Sequence, residues 1–114
     1  MKSIQKFENT FLLFLIPVAM SSCLSNVDEI EEIDPCAAIT FSMHVKPIID
    51  NNCISCHSLE GGQSPNLETY NAVSANALRV KSEVVLREMP IGGSLTNDEI
   101  TAISCWVDAG ALNN

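Results

Sequence analysis

The feature that most constrains this chain is a cluster of three reactive side chains within five residues, Cys53-Ile54-Ser55-Cys56-His57. A spacing of two residues places both thiols along one edge of a haem, and an imidazole follows the second thiol directly. Covalent attachment of a haem needs two thiols that add to its vinyl groups and an imidazole that binds the iron. The motif therefore predicts one covalent haem c, with Cys53 and Cys56 as attachment sites and His57 as an iron ligand.

Three other uses of the motif compete with this interpretation. A thioredoxin-like dithiol uses the same Cys-x-x-Cys spacing, but it is expected in a βαβ setting that the sequence does not indicate. A structural zinc site needs four ligands, and the adjacent Cys56 and His57 cannot easily both reach one tetrahedral ion. A plain disulfide between Cys53 and Cys56 is compatible with an oxidising compartment.

The N-terminus favours haem, because it reads as an export signal and haem is attached to such motifs after export. Residues 1–22 carry Lys2 and Lys6, then an apolar core from Phe11 to Met20, which is the pattern of a signal peptide. The small residues before Cys23 resemble the lipobox of bacterial lipoproteins, so Cys23 is the predicted lipidation site. An uncleaved anchor or a buried helix is the alternative, but the apolar run is too short to span a bilayer. We expect a lipid-anchored protein of the bacterial cell envelope, facing the periplasm or in the outer membrane.

The charge of the mature chain restricts its partners. Removal of residues 1–22 leaves 4 basic and 13 acidic side chains, a net charge of -9. Nucleic acid and anionic membrane surfaces are therefore poor partners. A basic or otherwise complementary redox protein is favoured, since complementary fields accelerate protein association. The alternative is that the acidity mainly provides solubility.

The remaining residues predict a short tether followed by one all-α domain. Residues 23–35 combine the lipidated Cys with an acidic, aromatic-free segment that is typical of a solvated linker. Residues 36–114 form the domain, which is near the size at which a hydrophobic core alone is marginal. Apolar spacing predicts four short helices: Phe41 to Ile49, Leu67 to Val73, Val80 to Val85, and a last one between Thr96 and Gly110. The last helix starts with a capping box of Thr96 and Glu99 and should end at Gly110 in a left-handed conformation.

A second axial ligand decides whether the iron can do chemistry. The candidates are Met43, His44 and Met89. The first two precede the motif by about three helical turns and would have to fold back over the opposite haem face. Met89 is followed by Pro90 and a flexible Gly-Gly pair, which suits a loop that crosses to the distal side, so Met89 is the predicted ligand. Its alternative role is a buried filler of an apolar cluster.

An iron-bound His normally donates its other ring nitrogen to an oxygen that fixes the ring orientation. The carbonyl of Pro65 is a candidate acceptor for His57, although spacing alone allows a plain loop proline equally well.

Together these residues resemble the class I cytochrome c family, in particular the small lipoprotein-linked domains of Bacteroidetes-like bacteria. The resemblance spans residues 36–114 and rests on Phe41 to Ile49 before the haem motif, the motif itself, Gly62 to Leu67, Tyr70, Met89-Pro90 with Gly92-Gly93, and Trp106 to Ala111. It implies an all-α class I cytochrome c fold in which the N- and C-terminal helices cross beside the haem. It also implies that His57 is proximal, that Met89 is distal, and that Pro65 supplies the carbonyl to His57.

Cys36 and Cys105 depart from the general family pattern, which does not require them. They are an even pair left over in an oxidising compartment, and the crossing of helices that the resemblance implies would bring them together. We therefore expect a disulfide between them, with two buried free thiols as the alternative.

The expected function is that of a monohaem c-type cytochrome that carries single electrons outside the cytoplasm, and not that of an enzyme. A His/Met pair fills both axial positions of the iron, which argues for electron transfer over catalysis. A haem peroxidase or a gas-binding sensor, with a labile sixth ligand, is the alternative.

Overall fold

The computed structural model of the chain describes residues 33–114. Its first helical segment changes from π-helical to α-helical geometry just before Pro47. Phe41–Val45 form a π-helical turn in which the Lys46 amide donates to the Phe41 carbonyl, and helix α1 follows over Lys46–Asn52. Proline has no amide hydrogen, so it is tolerated in the first turn of an α-helix, where no intrahelical donor is needed. The predicted helix is therefore present, but it begins with a wide turn that the apolar spacing does not reveal.

Three further helices follow: α2 over Tyr70–Ala75, α3 over Ala77–Val85 and α4 over Asn97–Asp108. The predicted capping box of α4 is confirmed, since the Thr96 hydroxyl accepts from the Glu99 amide at 3.2 Å and the Glu99 carboxylate accepts from the Thr96 amide at 2.8 Å. Gly110 follows the helix with a φ of 98°, as the sequence predicted. Local signals alone were therefore enough to delimit α4.

The middle helices differ in detail from the expectation. Helix α2 begins only at Tyr70, because the Thr69 side chain caps it by accepting from the Ala72 amide at 3.2 Å. Leu67 is buried in the loop before this helix. Val85 was expected on the buried face of α3, but it is half exposed, and that face consists of other residues, namely Ala77, Val80 and Val84.

The core lies where the π-helical turn packs on α4. The rings of Phe41 and Trp106 have centroids 5.3 Å apart, and Phe41 meets Tyr70 edge-on at 5.1 Å. Trp106 is 1% exposed, and its indole nitrogen donates to the Leu112 carbonyl at 2.7 Å. The Tyr70 hydroxyl donates to the Ala111 carbonyl at 2.8 Å. The polar atoms of the buried Trp106 and the partly buried Tyr70 thus both donate to carbonyls of residues that follow α4.

Hydrogen bonds and a disulfide join the start of the described chain to its C-terminal part. The Phe41 amide donates to the Asn114 side chain and the Ser42 amide to the Asn114 carbonyl, both at 2.9 Å. A disulfide joins Cys36 to Cys105, whose Cα atoms are 5.1 Å apart. The segment before the first turn is therefore held against the middle of α4.

Residues 32–114 form one compact unit. The part of it that the structure describes, residues 33–114, is all-α, with helices and turns and no β-strand. Near the start of the described residues, the Asp34 carboxylate accepts from the Cys36 amide at 2.9 Å. The predicted signal peptide, Cys23 and most of the acidic tether lie outside the described residues. Within residues 33–114, none of the helices combines the length and the apolar character needed to cross a membrane.

Candidate functional site

The predicted haem motif, with Cys53, Cys56 and His57, lies in a turn that continues from the end of α1. The Cys53 amide donates to the Ile49 carbonyl at 2.9 Å, and the His57 amide donates to the Cys53 carbonyl at 2.8 Å. Ile49 is 1% exposed, so the turn is anchored to the core at its start. Helix α1 therefore determines the direction in which the motif leaves the core.

The two thiols of the motif are free, and they differ in exposure. Cys53 is half-buried and packs against the core, whereas Cys56 is exposed. Burial raises the pKa of the Cys53 thiol to about 11, because desolvation disfavours the thiolate. Cys53 is thus a neutral thiol at neutral pH, and the two sulfurs are not joined to each other.

His57 has a fixed ring orientation. Its Nδ1 lies 2.9 Å from the carbonyl oxygen of Pro65, and because a carbonyl can only accept, Nδ1–H is the donor and Nε2 is the ring nitrogen left to bind a metal ion. The backbone of His57 is held as well, since its carbonyl accepts from the Leu67 amide at 2.7 Å. The structure thus brings together the histidine and the prolyl carbonyl that the sequence analysis considered as partners. A neutral imidazole held in this way is the form that binds a metal ion.

Gly61 lies against the backbone of the motif, a contact that the sequence did not predict. A Cβ placed on it would lie 2.3 Å from the carbonyl oxygen of Cys56, a contact that real Cβ atoms do not make. The Gln63 amide donates to that same carbonyl at 3.0 Å, so the loop folds directly over the motif. The Gly61-Gly62 pair was the available signal, because glycine permits such a close backbone approach.

A cleft of about 90 Å³ lies beside the motif. Its lining comes from the motif, the loop after it, α3 and the segment after α3: Cys53, His57, Ser64, Pro65, Leu67, Asn76, Arg79, Val80, Glu83, Val84 and Met89. Leu67, Val80 and Val84 are buried apolar residues. Arg79 and Glu83 form an exposed pair with 3.9 Å between nitrogen and oxygen, which contributes little to stability.

The three candidates for a second iron ligand are placed differently. Met89 lines the cleft together with His57. Met43 is 75% exposed on the π-helical turn and does not line it. His44 accepts a hydrogen bond from the Thr40 amide at its Nδ1, at 3.1 Å, so its ring belongs to the start of the first turn. Of the three, Met89 is the one that shares a cavity with the motif.

The donor set fits a haem c better than it fits a bare metal ion. Residues 33–114 contain no group of three or more His, Cys, Asp or Glu side chains placed to hold a metal ion. A haem does not require such a group, because the macrocycle supplies four nitrogen ligands and the protein only the axial ones. One of the two free thiols, an oriented imidazole and a thioether line the cleft, and these are groups that haem c uses. At about 90 Å³, against roughly 300–1,000 Å³ for typical ligand pockets, the cleft would have to widen to admit it.

Comparison with known proteins returned no relative: no family model, no curated protein and no solved structure matches this chain.

Proposed function

We propose that residues 36–114 are a monohaem c-type cytochrome domain with His57 and Met89 as axial ligands. The observation that carries the proposal is the 2.9 Å hydrogen bond from His57 to the Pro65 carbonyl, beside a cleft that Cys53 and Met89 also line. Cys53 and Cys56 would hold the haem through thioether bonds: each S–H would add across one vinyl C=C bond, with the sulfur on one vinyl carbon and the hydrogen on the other, so that no oxidant is needed. The neutral thiol of Cys53 is compatible with this addition.

The proposed activity is single-electron transfer. A bound haem supplies an iron that alternates between two oxidation states, and a His/Met pair favours the reduced state relative to two His ligands. The protein orients the imidazole of His57 through the Pro65 carbonyl, and the buried side chains of Val80 and Val84 in the cleft lining lower the local dielectric. With both axial positions filled, the domain would act as an electron carrier and not as an enzyme.

We also propose the class I cytochrome c arrangement for this helical domain. It is supported by the packing of the first helical turn against α4 through Phe41 and Trp106, and by the disulfide from Cys36 to Cys105. Such an arrangement keeps the N- and C-terminal helices together on one side of the motif.

The proposed partner is a basic or complementary redox protein. Every cationic side chain of residues 33–114 is already engaged within the chain: Lys46 with Asp50, Arg79 with Glu83, Lys81 with Asp108, and Arg87 with Leu95 and Asn97. The surface field is therefore dominated by carboxylates, which would attract a basic partner. The proposed location is the bacterial cell envelope, with lipid on Cys23 as the membrane anchor, and nucleic acid is not expected as a partner.

Covalent haem and Met ligation can be tested in the exported protein. We expect haem to remain with the polypeptide on a denaturing gel and to be lost from the gel band when Cys53 and Cys56 are both replaced by Ala. We also expect the weak long-wavelength absorption band that Met ligation gives in ferric haem, and slow binding of carbon monoxide to the ferrous form. Met89→Leu should abolish the band and open the ferrous iron to carbon monoxide.

Met43→Leu is the matched control, because it makes the same chemical change at an exposed methionine that does not line the cleft. A wild-type protein without covalent haem would refute the proposal. A haem protein that lacks the band and binds carbon monoxide readily would instead support a peroxidase or gas-binding role.

A further inference from the structure

Helix α3 ends with an arginine in a backbone conformation that usually belongs to glycine. The Arg87 amide donates to the Val84 carbonyl at 3.1 Å and the Glu88 amide to the Glu83 carbonyl at 2.9 Å, which is the Schellman pattern of a helix end. Arg87 has a φ of 59°, in the left-handed region. Gly is preferred there because a Cβ is disfavoured in that region. Local backbone energetics therefore do not explain an arginine at this position.

The side chain of Arg87 spans the loop that carries Met89. Its Nη1 donates to the Leu95 carbonyl at 3.1 Å, and its Nη2 donates to the Asn97 side chain at 2.6 Å. The Leu95 carbonyl lies near the end of the loop, and Asn97 is the first residue of α4. The two hydrogen bonds from Arg87 to Leu95 and Asn97, here called the Arg87 clasp, thus join the two ends of the loop formed by residues 88–96.

The loop has few other restraints near Met89. The Met89 amide lies 3.3 Å from the Glu83 carbonyl, and the Gly93 amide lies 3.3 Å from the Pro90 carbonyl. Gly92 has a φ of 77°, and Ile91 is 83% exposed. The two hydrogen bonds of Arg87 are therefore the side-chain hydrogen bonds that span the base of this loop.

We propose that Arg87 is a positioning residue that holds the Met89 loop against the cleft, so that the Met89 thioether stays on the iron. The inference rests on the proposed function, because it assigns to Arg87 the retention of a ligand that Met89 supplies there. A thioether is a neutral and weak donor, so its occupancy of the iron depends strongly on how much freedom its loop has. A planar guanidinium bonded at two points removes more of that freedom than a single flexible ammonium would.

The chain offers a variant that separates this role from a merely structural one. Arg87→Gly removes the guanidinium but suits the left-handed backbone, so the helix end should be retained or improved. Asn97→Ala removes one of the two acceptors and leaves the Leu95 carbonyl. Lys46→Ala is the matched control, because it removes one positive charge from an ion pair on α1 that does not line the cleft.

The test uses the exported, haem-loaded protein and the ferric form's apparent affinity for imidazole, which competes with Met89 for the iron. We expect Arg87→Gly to bind imidazole about tenfold more tightly, since losing hydrogen bonds to a charged group shifts a local equilibrium by roughly that factor. Asn97→Ala should give an intermediate effect, and Lys46→Ala should match the wild type. Hydrogen exchange of residues 88–96 should be faster in Arg87→Gly, while its thermal midpoint stays at or above that of the wild type.

An unchanged imidazole affinity in Arg87→Gly would overturn the inference. So would an affinity that rises only in step with a falling thermal midpoint, because that pattern indicates a general loss of structure. These outcomes concern Arg87 alone if Met89→Leu still abolishes the long-wavelength band. If the wild type lacks haem, or if Met89→Leu leaves the band intact, the proposed function fails and the inference fails with it.

Discussion

The disulfide between Cys36 and Cys105 should supply a large part of the stability of this domain. It closes a loop with a sequence separation of 69 residues. In the chain-entropy model, a loop of that length corresponds to about 4 kcal/mol at 25 °C. Small domains unfold with roughly 5–15 kcal/mol, so removing the cross-link should bring this one close to the limit of stability. A haem on Cys53 and Cys56 would bridge positions only three apart and would not shorten this loop.

The disulfide can be removed in the double variant Cys36→Ser with Cys105→Ala. Serine suits position 36, which is exposed, and alanine suits position 105, which is 5% exposed. Urea unfolding can be followed by the fluorescence of Trp106, the single tryptophan of the chain. We expect the free energy of unfolding to fall by about 4 kcal/mol, and the denaturant slope to rise because the denatured state expands.

A reductant provides the control for this experiment. It should lower the stability of the wild type to that of the variant and should leave the variant unchanged. A free energy of unfolding within about 1 kcal/mol of the wild type would refute the reasoning, because it would mean that the cross-link does little to restrict the unfolded chain.

Three further predictions concern the cap, the loop and the core. Thr96→Ala should lower the free energy of unfolding by about 1 kcal/mol in urea titrations, since it removes the cap of α4, and an unchanged value would contradict the capping box. Hydrogen bonds from the Leu59 amide and then from the Asn66 side chain lower the pKa of Glu68, so an NMR titration should place it below an ordinary Glu, and Asn66→Ala should raise it. Because the folded pKa is the lower one, the contribution of Glu68 to stability is present above the ordinary Glu pKa and is lost as pH falls through the folded value. Ile103→Ala should cost roughly 2–5 kcal/mol, since this side chain is 0% exposed, and a smaller cost than that of Ile103→Val would be inconsistent with its burial.

Several features of the fold could be predicted because their causes are local in sequence. The capping box of Thr96 and Glu99 involves residues three apart, and Gly110 ends α4 through its own backbone freedom. The first helix follows from the apolar spacing of Phe41 and Ile49. What the spacing missed was the π-helical turn before Pro47, because that turn leaves the same side chains buried.

The prediction of a haem site also came from five residues, since thiols and an imidazole at that spacing suit only a few kinds of chemistry, and it stays a prediction. The pairing of His57 with the Pro65 carbonyl was not decided by sequence, because a prolyl carbonyl eight residues away is available in many loop conformations. The need for Gly61 was not visible either, since it arises from the approach of one backbone segment to another.

The sequence by itself determined the chemical groups of the site and the local ends of the last helix. Only the tertiary structure decided which of Met43, His44 and Met89 shares a cleft with His57, and that an arginine in a glycine position clasps the loop of Met89. The physical reason is that these choices depend on contacts between residues of different segments, such as His57 and Met89 or Arg87 and Leu95. Such contacts form when the π-helical turn and α3 both pack on α4, and no pattern within a single segment encodes them.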